Sequence, residues 1–191
     1  MQVVVPLAIA LTVGTAIAAP EKPSKTPAPK PIVREGPPDG FAEMFVAGVL
    51  TTEGGPAVIL RDKSETKLLP IWIGFAEAHA IQLRLERKRF PRPLTHDLLE
   101  TIMQDLGGSL VKIHVDDLKG DTYVGTVFVR HGTEIRHFDA RPSDSIALAL
   151  GNQVPIYVSA AVLERANDFK DAPKEIEPPE PSEPPEGLKT L

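Results

Sequence analysis

The sequence predicts an α+β domain, a mainly antiparallel sheet with helices packed on it. Three observations point there. Short runs rich in β-branched and aromatic residues, separated by glycine turns, recur through residues 41–170. Stretches with apolar residues at helical spacing are set between them. Two halves of this region repeat one order, β-β-β-α.

The first run, FAEMFVAGVLTT (41–52), reads as a strand, and Glu53 to Pro56 as a turn. Strands follow at 57–61 and 67–73, parted by a turn at 62–65 and closed by Gly74. Residues 75–88 read as a helix, because Ala78, Ile81 and Leu85 recur on one face. Trp72 and Phe75, at the junction, are expected in the core. Pro91-Arg92-Pro93 breaks the chain, and Thr95 suits the N-cap of the next helix, with Leu94 and Leu99 as a hydrophobic staple. Leu98, Leu99, Ile102, Met103 and Leu106 form its expected buried stripe, and Gly107-Gly108 ends it.

Strands at 110–116, 122–130 and 134–138 come next, with turns at Gly120-Asp121 and Gly132. Arg141-Pro142-Ser143-Asp144 opens a third helix, Pro142 suiting its first position and Gly151 its end. A strand at 155–158 and a short helix at 160–166, capped by Ser159, complete the domain. The halves align: AVILR (57–61) on VGTVF (124–128), LLPIWI (68–73) on IRHFDA (135–140), and EAHAIQL (77–83) on DSIALAL (144–150). A duplicated β-β-β-α unit is the expectation, and it makes Glu77 the counterpart of Asp144.

The ends differ from this domain. Residues 1–19 carry no charged side chain and finish in Ala16-Ile17-Ala18, a small-x-small cleavage pattern, so they read as a secretory signal, or else as a membrane anchor. Export to the periplasm or medium is the expected localisation. Residues 20–40 are a Pro-rich linker, and residues 171–191 a Pro/Glu tail that cannot bury enough surface to fold. The chain has 191 residues, 20 prolines and no cysteine, which excludes disulfides, thiolate metal sites and a cysteine nucleophile. Its net charge of -5 provides no global field for nucleic acid. No dinucleotide-binding, P-loop, zincin or hydrolase-elbow motif is present.

Four clusters could carry chemistry. Asp139, Arg141 and Asp144 lie where a strand passes into a helix: Arg141 could grip a phosphate, and the acids a divalent metal. Glu77 could join them if the halves pack face to face, and paired carboxylates can hold Mg²⁺ or Mn²⁺ to activate a water. His96 and Asp97 open a helix, whose dipole favours a neutral imidazole able to act as a base. Arg84, Arg87, Lys88, Arg89 and Arg92 form the densest basic patch, suited to a phosphate backbone, with Phe90 able to stack a base. Each also has a plain structural reading, as helix-terminus charges or a solvated face.

The segments LPIWIGFAEAHAI (69–81), RPLTHDLL (92–99) and DARPSDSIALAL (139–150) resemble the signature segments of the bifunctional nuclease family, also called the domain of unknown function 151. The resemblance spans residues 41–166. It implies an α+β domain of unusual topology, usually a homo-oligomer, and a nuclease acting on DNA and RNA. The positions matching the family pattern are Glu77, His96, Asp97, Asp139, Arg141, Ser143 and Asp144. The expected activity is metal-assisted phosphodiester hydrolysis: Glu77, Asp139 and Asp144 on Mg²⁺ or Mn²⁺, with His96, Asp97 and Arg141 assisting, and the basic patch steering the strand. No membrane insertion of the core domain is expected. The rival expectation is a non-enzymatic exported module of the same fold that binds a protein or small anion.

Overall fold

In this computed structural model the described residues are 36–88, 90–120 and 122–166. The expected signal or anchor, most of the linker, and the tail lie outside them. The elements run β1 (Phe41–Thr52), β2 (Gly55–Asp62), β3 (Leu68–Trp72), α1 (Phe75–Leu85), α2 (Thr95–Asp105), β4 (Gly108–Lys119), β5 (Thr122–His131), β6 (Glu134–Ala140), α3 (Pro142–Asn152), β7 (Ile156–Ser159) and α4 (Ala160–Ala166).

The strands form one sheet in the order β3-β2-β1-β7-β4-β5-β6. Two antiparallel meanders flank β7, which runs antiparallel to β1 and parallel to β4. Each meander is followed by a helix, α1 or α3, as the expected β-β-β-α order requires. That order alone does not establish a duplication. Val58, Leu60, Leu69, Ile81, Ile113, Val115, Ile146 and Val158 are fully or almost fully buried and make one continuous core. Gly125 is needed where α3 crosses β5. A Cβ there would stand 3.0 Å from the Ala140 carbonyl and 3.3 Å from the Ser145 hydroxyl.

Gly125 pairs with Ala140, and Thr126 with Asp139. Side chains alternate across a strand, so Ala140 faces α3 and Asp139 faces the other side of the sheet. That side carries His114, whose ring packs on Phe41, Phe128 and Tyr157.

The structure corrects several local expectations. Thr95 is the first helical residue of α2 and Leu94 the N-cap; Asp97 accepts the Leu94 N–H at 3.1 Å. The apolar stripe of α2 points to water: Leu98 and Leu99 are 49% exposed, Ile102 46% and Leu106 71%. Only Met103 of the expected stripe packs against the core, while Glu100 is buried. The reason is Arg84, which needs Glu100 inside. Gly151 does not end α3, which continues to Asn152 and closes with Gln153 in the left-handed conformation. Trp72 is 48% and Phe75 75% exposed, neither in the core. Ser159 caps α4 as expected, accepting the Val162 N–H at 3.2 Å.

Candidate functional site

Three helices begin at one place. Glu77 is in the first turn of α1, His96 in that of α2 and Asp144 in that of α3. A Cβ on Gly74, at the start of α1, would overlap the Glu77 carboxylate, which folds back over the helix end. Arg141 is the N-cap of α3, in extended conformation, and Pro142 fixes the first helical position. Side chains from the first turns of three helices therefore meet here.

Arg141 sits at the centre. Its Nε and Nη2 donate to the two Asp144 oxygens at 2.7 and 3.1 Å, a two-pronged grip. Its Nη1 lies 2.8 Å from Glu77 Oε1. His96 Nε2 lies 3.1 Å from Asp144 Oδ1. Because the carboxylate can only accept, Nε2 is the donor, and in the neutral ring Nδ1 then carries the lone pair. Burial pushes the Asp144 carboxyl up, but the Arg141 and His96 hydrogen bonds and charges outweigh it and hold it below the usual carboxylate range. The side chains of Glu77, His96 and Asp144 are 17%, 14% and 31% exposed, against 66% for Arg141. An anion arriving from solvent meets the guanidinium first.

The other expected residues lie elsewhere. Asp139 is exposed on the far face of the sheet. Asp97 turns away from the cluster and binds Arg84 Nη2 at 3.0 Å. Ser143 is buried within the first turn of α3. Glu77 and Asp144 have Arg141 between them, in the position a metal ion would take. Among the described residues no group of three or more His, Asp or Glu side chains is arranged to hold a metal. The donors as arranged do not fit a resident Mg²⁺ or Mn²⁺.

The basic patch divides. The Arg84 side chain is 11% exposed, paired with Asp97 and, at 2.8 Å, with Glu100. A Cβ on Gly151 would overlap both partners of that second pair. Arg87 and Lys88 are exposed and border a cavity of about 520 Å³ with Arg84, Asp97 and the start of β7. Arg92 is exposed, and Arg89 lies outside the described residues. Glu100 is the residue that sequence reasoning missed. Its signal was its place three and four residues after Asp97 and His96, on the polar face of α2.

Residues 58–171 match the bifunctional nuclease domain family. Two uncharacterized proteins of Mycobacterium tuberculosis, from strains CDC 1551 / Oshkosh and ATCC 25618 / H37Rv, are each 42% identical over 128 residues, covering 66% of this chain and 76% of theirs. Bifunctional nuclease 2 of Oryza sativa subsp. japonica is 28% identical over 128 residues, covering 64% of this chain but 38% of its own length. The chain belongs to the bifunctional nuclease domain family. The family resemblance of its three signature segments is thereby confirmed.

Proposed function

We propose that this protein is a nuclease that hydrolyses phosphodiester bonds of DNA or RNA, with its chemistry at the Arg141–Asp144–His96 cluster. The observation that carries the reading is an exposed guanidinium, fixed by two carboxylates beside an oriented imidazole, in a chain of this family. Arg141 would take two phosphate oxygens and stabilise the charge that builds on them in the transition state. His96 Nδ1 would accept a proton from the attacking water as its oxygen bonds to phosphorus. The P–O bond to the leaving oxygen then breaks, and the imidazolium returns the proton to that oxygen. Asp144 would hold the ring in this tautomer and stabilise its charged form. Arg87, Lys88 and Arg92 would meet the flanking backbone.

The test is cleavage of end-labelled single-stranded RNA and DNA by the full chain in Mg²⁺, Mn²⁺ or EDTA. Cleavage is expected to survive EDTA and to fall at least 100-fold in His96→Ala, the scale of a lost general base. Loss in EDTA with return on Mn²⁺ would overturn the metal-free chemistry proposed at this cluster.

A second reading, the exported binding module, is favoured by one observation: Arg141 already neutralises both carboxylates of the cluster. Its mark is a wild-type chain that retains nucleic acid or another anion without cleaving it.

A further inference from the structure

The cavity of about 520 Å³ opens between the ends of α1 and α3 and the strands β1 and β7. Small-molecule sites run from roughly 300 to 1,000 Å³, so its size is that of a ligand pocket. None of Glu77, His96, Arg141 and Asp144 lines it. Gly151, on its wall, stands seven residues along α3 from Asp144, about 10 Å at the helical rise. Met44, Leu85 and Ile156 give it an apolar floor. Arg84 is engaged by Asp97 and Glu100, which leaves exposed Arg87 and Lys88 to meet an anion. Lys88 pairs with Glu86 at 2.6 Å, an exposed contact of small worth that an incoming anion can replace. β1 pairs with β7 through Phe41–Met44. Phe45 and Val46 border the cavity, and among the described residues no strand lies beside them on that side, so the main chain offers donors and acceptors there.

A second observation singles out the same place. Arg87 and Gln153 both border the cavity in the left-handed conformation, with φ of 54° and 56°. Each follows a helix end, where glycine is the usual occupant. Side chains held in such a conformation cluster at ligand sites. We infer that this cavity binds a nucleoside monophosphate, free or as the end of a strand. The phosphate meets Arg87 and Lys88. The flat faces of the base lie on the apolar floor, and its edge pairs with the main chain of Phe45 and Val46. Glu43, also on the wall, suits the amino group of a base. Inorganic phosphate would leave the apolar floor unfilled, and a neutral apolar molecule would leave the cations unmet. The inference does not require the cleavage proposed at Arg141.

The test is titration calorimetry of the full chain with adenosine and guanosine monophosphates, with adenosine and with inorganic phosphate, each to about 1 mM, the weak end of small-molecule affinity. The monophosphates should bind, and adenosine and phosphate at least tenfold more weakly. Arg87→Gly with Lys88→Ala should weaken monophosphate binding at least tenfold with no loss of melting temperature, because glycine suits that backbone. Arg141→Ala should bind the monophosphates as the wild type does. A wild type that binds neither monophosphate would overturn the inference. So would undiminished binding by the double variant, or binding lost in Arg141→Ala, which would put the nucleotide at the cluster. Should the double variant lose stability, Lys88→Glu alone decides, and unchanged affinity there would overturn the site. A 5′-phosphorylated dinucleotide with a phosphorothioate link names the source. Binding tighter than the monophosphate's supports a strand end, and weaker binding supports a free nucleotide.

Discussion

Asp144 does two jobs with one carboxylate: it grips Arg141 with both oxygens and holds His96 with one of them. Asp144→Asn keeps the shape but loses the charge and one acceptor. It should reduce nuclease turnover by at least 100-fold in a cleavage assay, with a smaller effect on nucleic acid retention. The folded pKa of Asp144 is depressed, so its contribution to stability is present above the usual carboxylate pKa. It is lost as pH falls through the folded value. His114 works in the same direction, at higher pH. Burial pushes its ring below the model-compound value of 6.5, against the pull of Asp116 and with added repulsion from Lys112. Among the described residues its buried Nε2 has no hydrogen-bond partner. The folded state prefers the neutral ring, so stability is full above pH 6.5 and declines as pH falls from there through the folded value. His114→Phe should flatten that decline and raise stability by about 1 kcal/mol at neutral pH, by removing an unsatisfied buried atom. Urea unfolding at pH 5 and pH 7.5 checks both.

At the scale of elements, α1, α2 and α3 are locked by Arg84, Glu100 and Gly151. Arg84→Ala would strand Glu100 inside the protein and should cost about 3–5 kcal/mol in urea unfolding. Gly151→Ala improves helix propensity, yet its Cβ would collide with that ion pair. The collision should win, by about 1–3 kcal/mol. Both variants should also slow cleavage, because they shift the helix that positions His96. The sequence was legible here in part. Strand and helix order followed from glycine turns, β-branched runs and helical spacing, and the first turn of α3 followed from Pro142. The orientation of α2 was not legible. Its apolar residues have the spacing of a buried face, and periodicity reports which side chains share a face, not which neighbour that face meets. A buried Arg84–Glu100 pair between separate helices leaves no local signal.

At the scale of the whole molecule, the fold explains why one cluster gathers and its expected third acid does not. Glu77 and Asp144 occupy equivalent places after their meanders, and packing α1 on α3 brings both to Arg141. Asp139 belongs to a strand, and the two-residue alternation of β6 sends it through the sheet. Sequence placed it beside Arg141 because the two are two residues apart; the sheet separates them. The chain's acidity is also resolved locally, since the exposed cations Arg87, Lys88, Arg92 and Arg141 lie at or near the helical layer. Binding of nucleic acid should accordingly weaken steeply as salt rises from 50 to 200 mM, read by filter retention. Among the described residues no helix is long and apolar enough to cross a membrane.

The central claim is that Arg141 is the group that meets the scissile phosphate. The direct measurement is the single-turnover cleavage rate of Arg141→Ala and Arg141→Lys beside the wild type, with folding checked by circular dichroism. The account predicts a loss of roughly 100-fold or more for alanine, about 2.7 kcal/mol or more of transition-state stabilisation, and incomplete rescue by lysine, which lacks the planar fork. Cleavage by Arg141→Ala at the wild-type rate would contradict it.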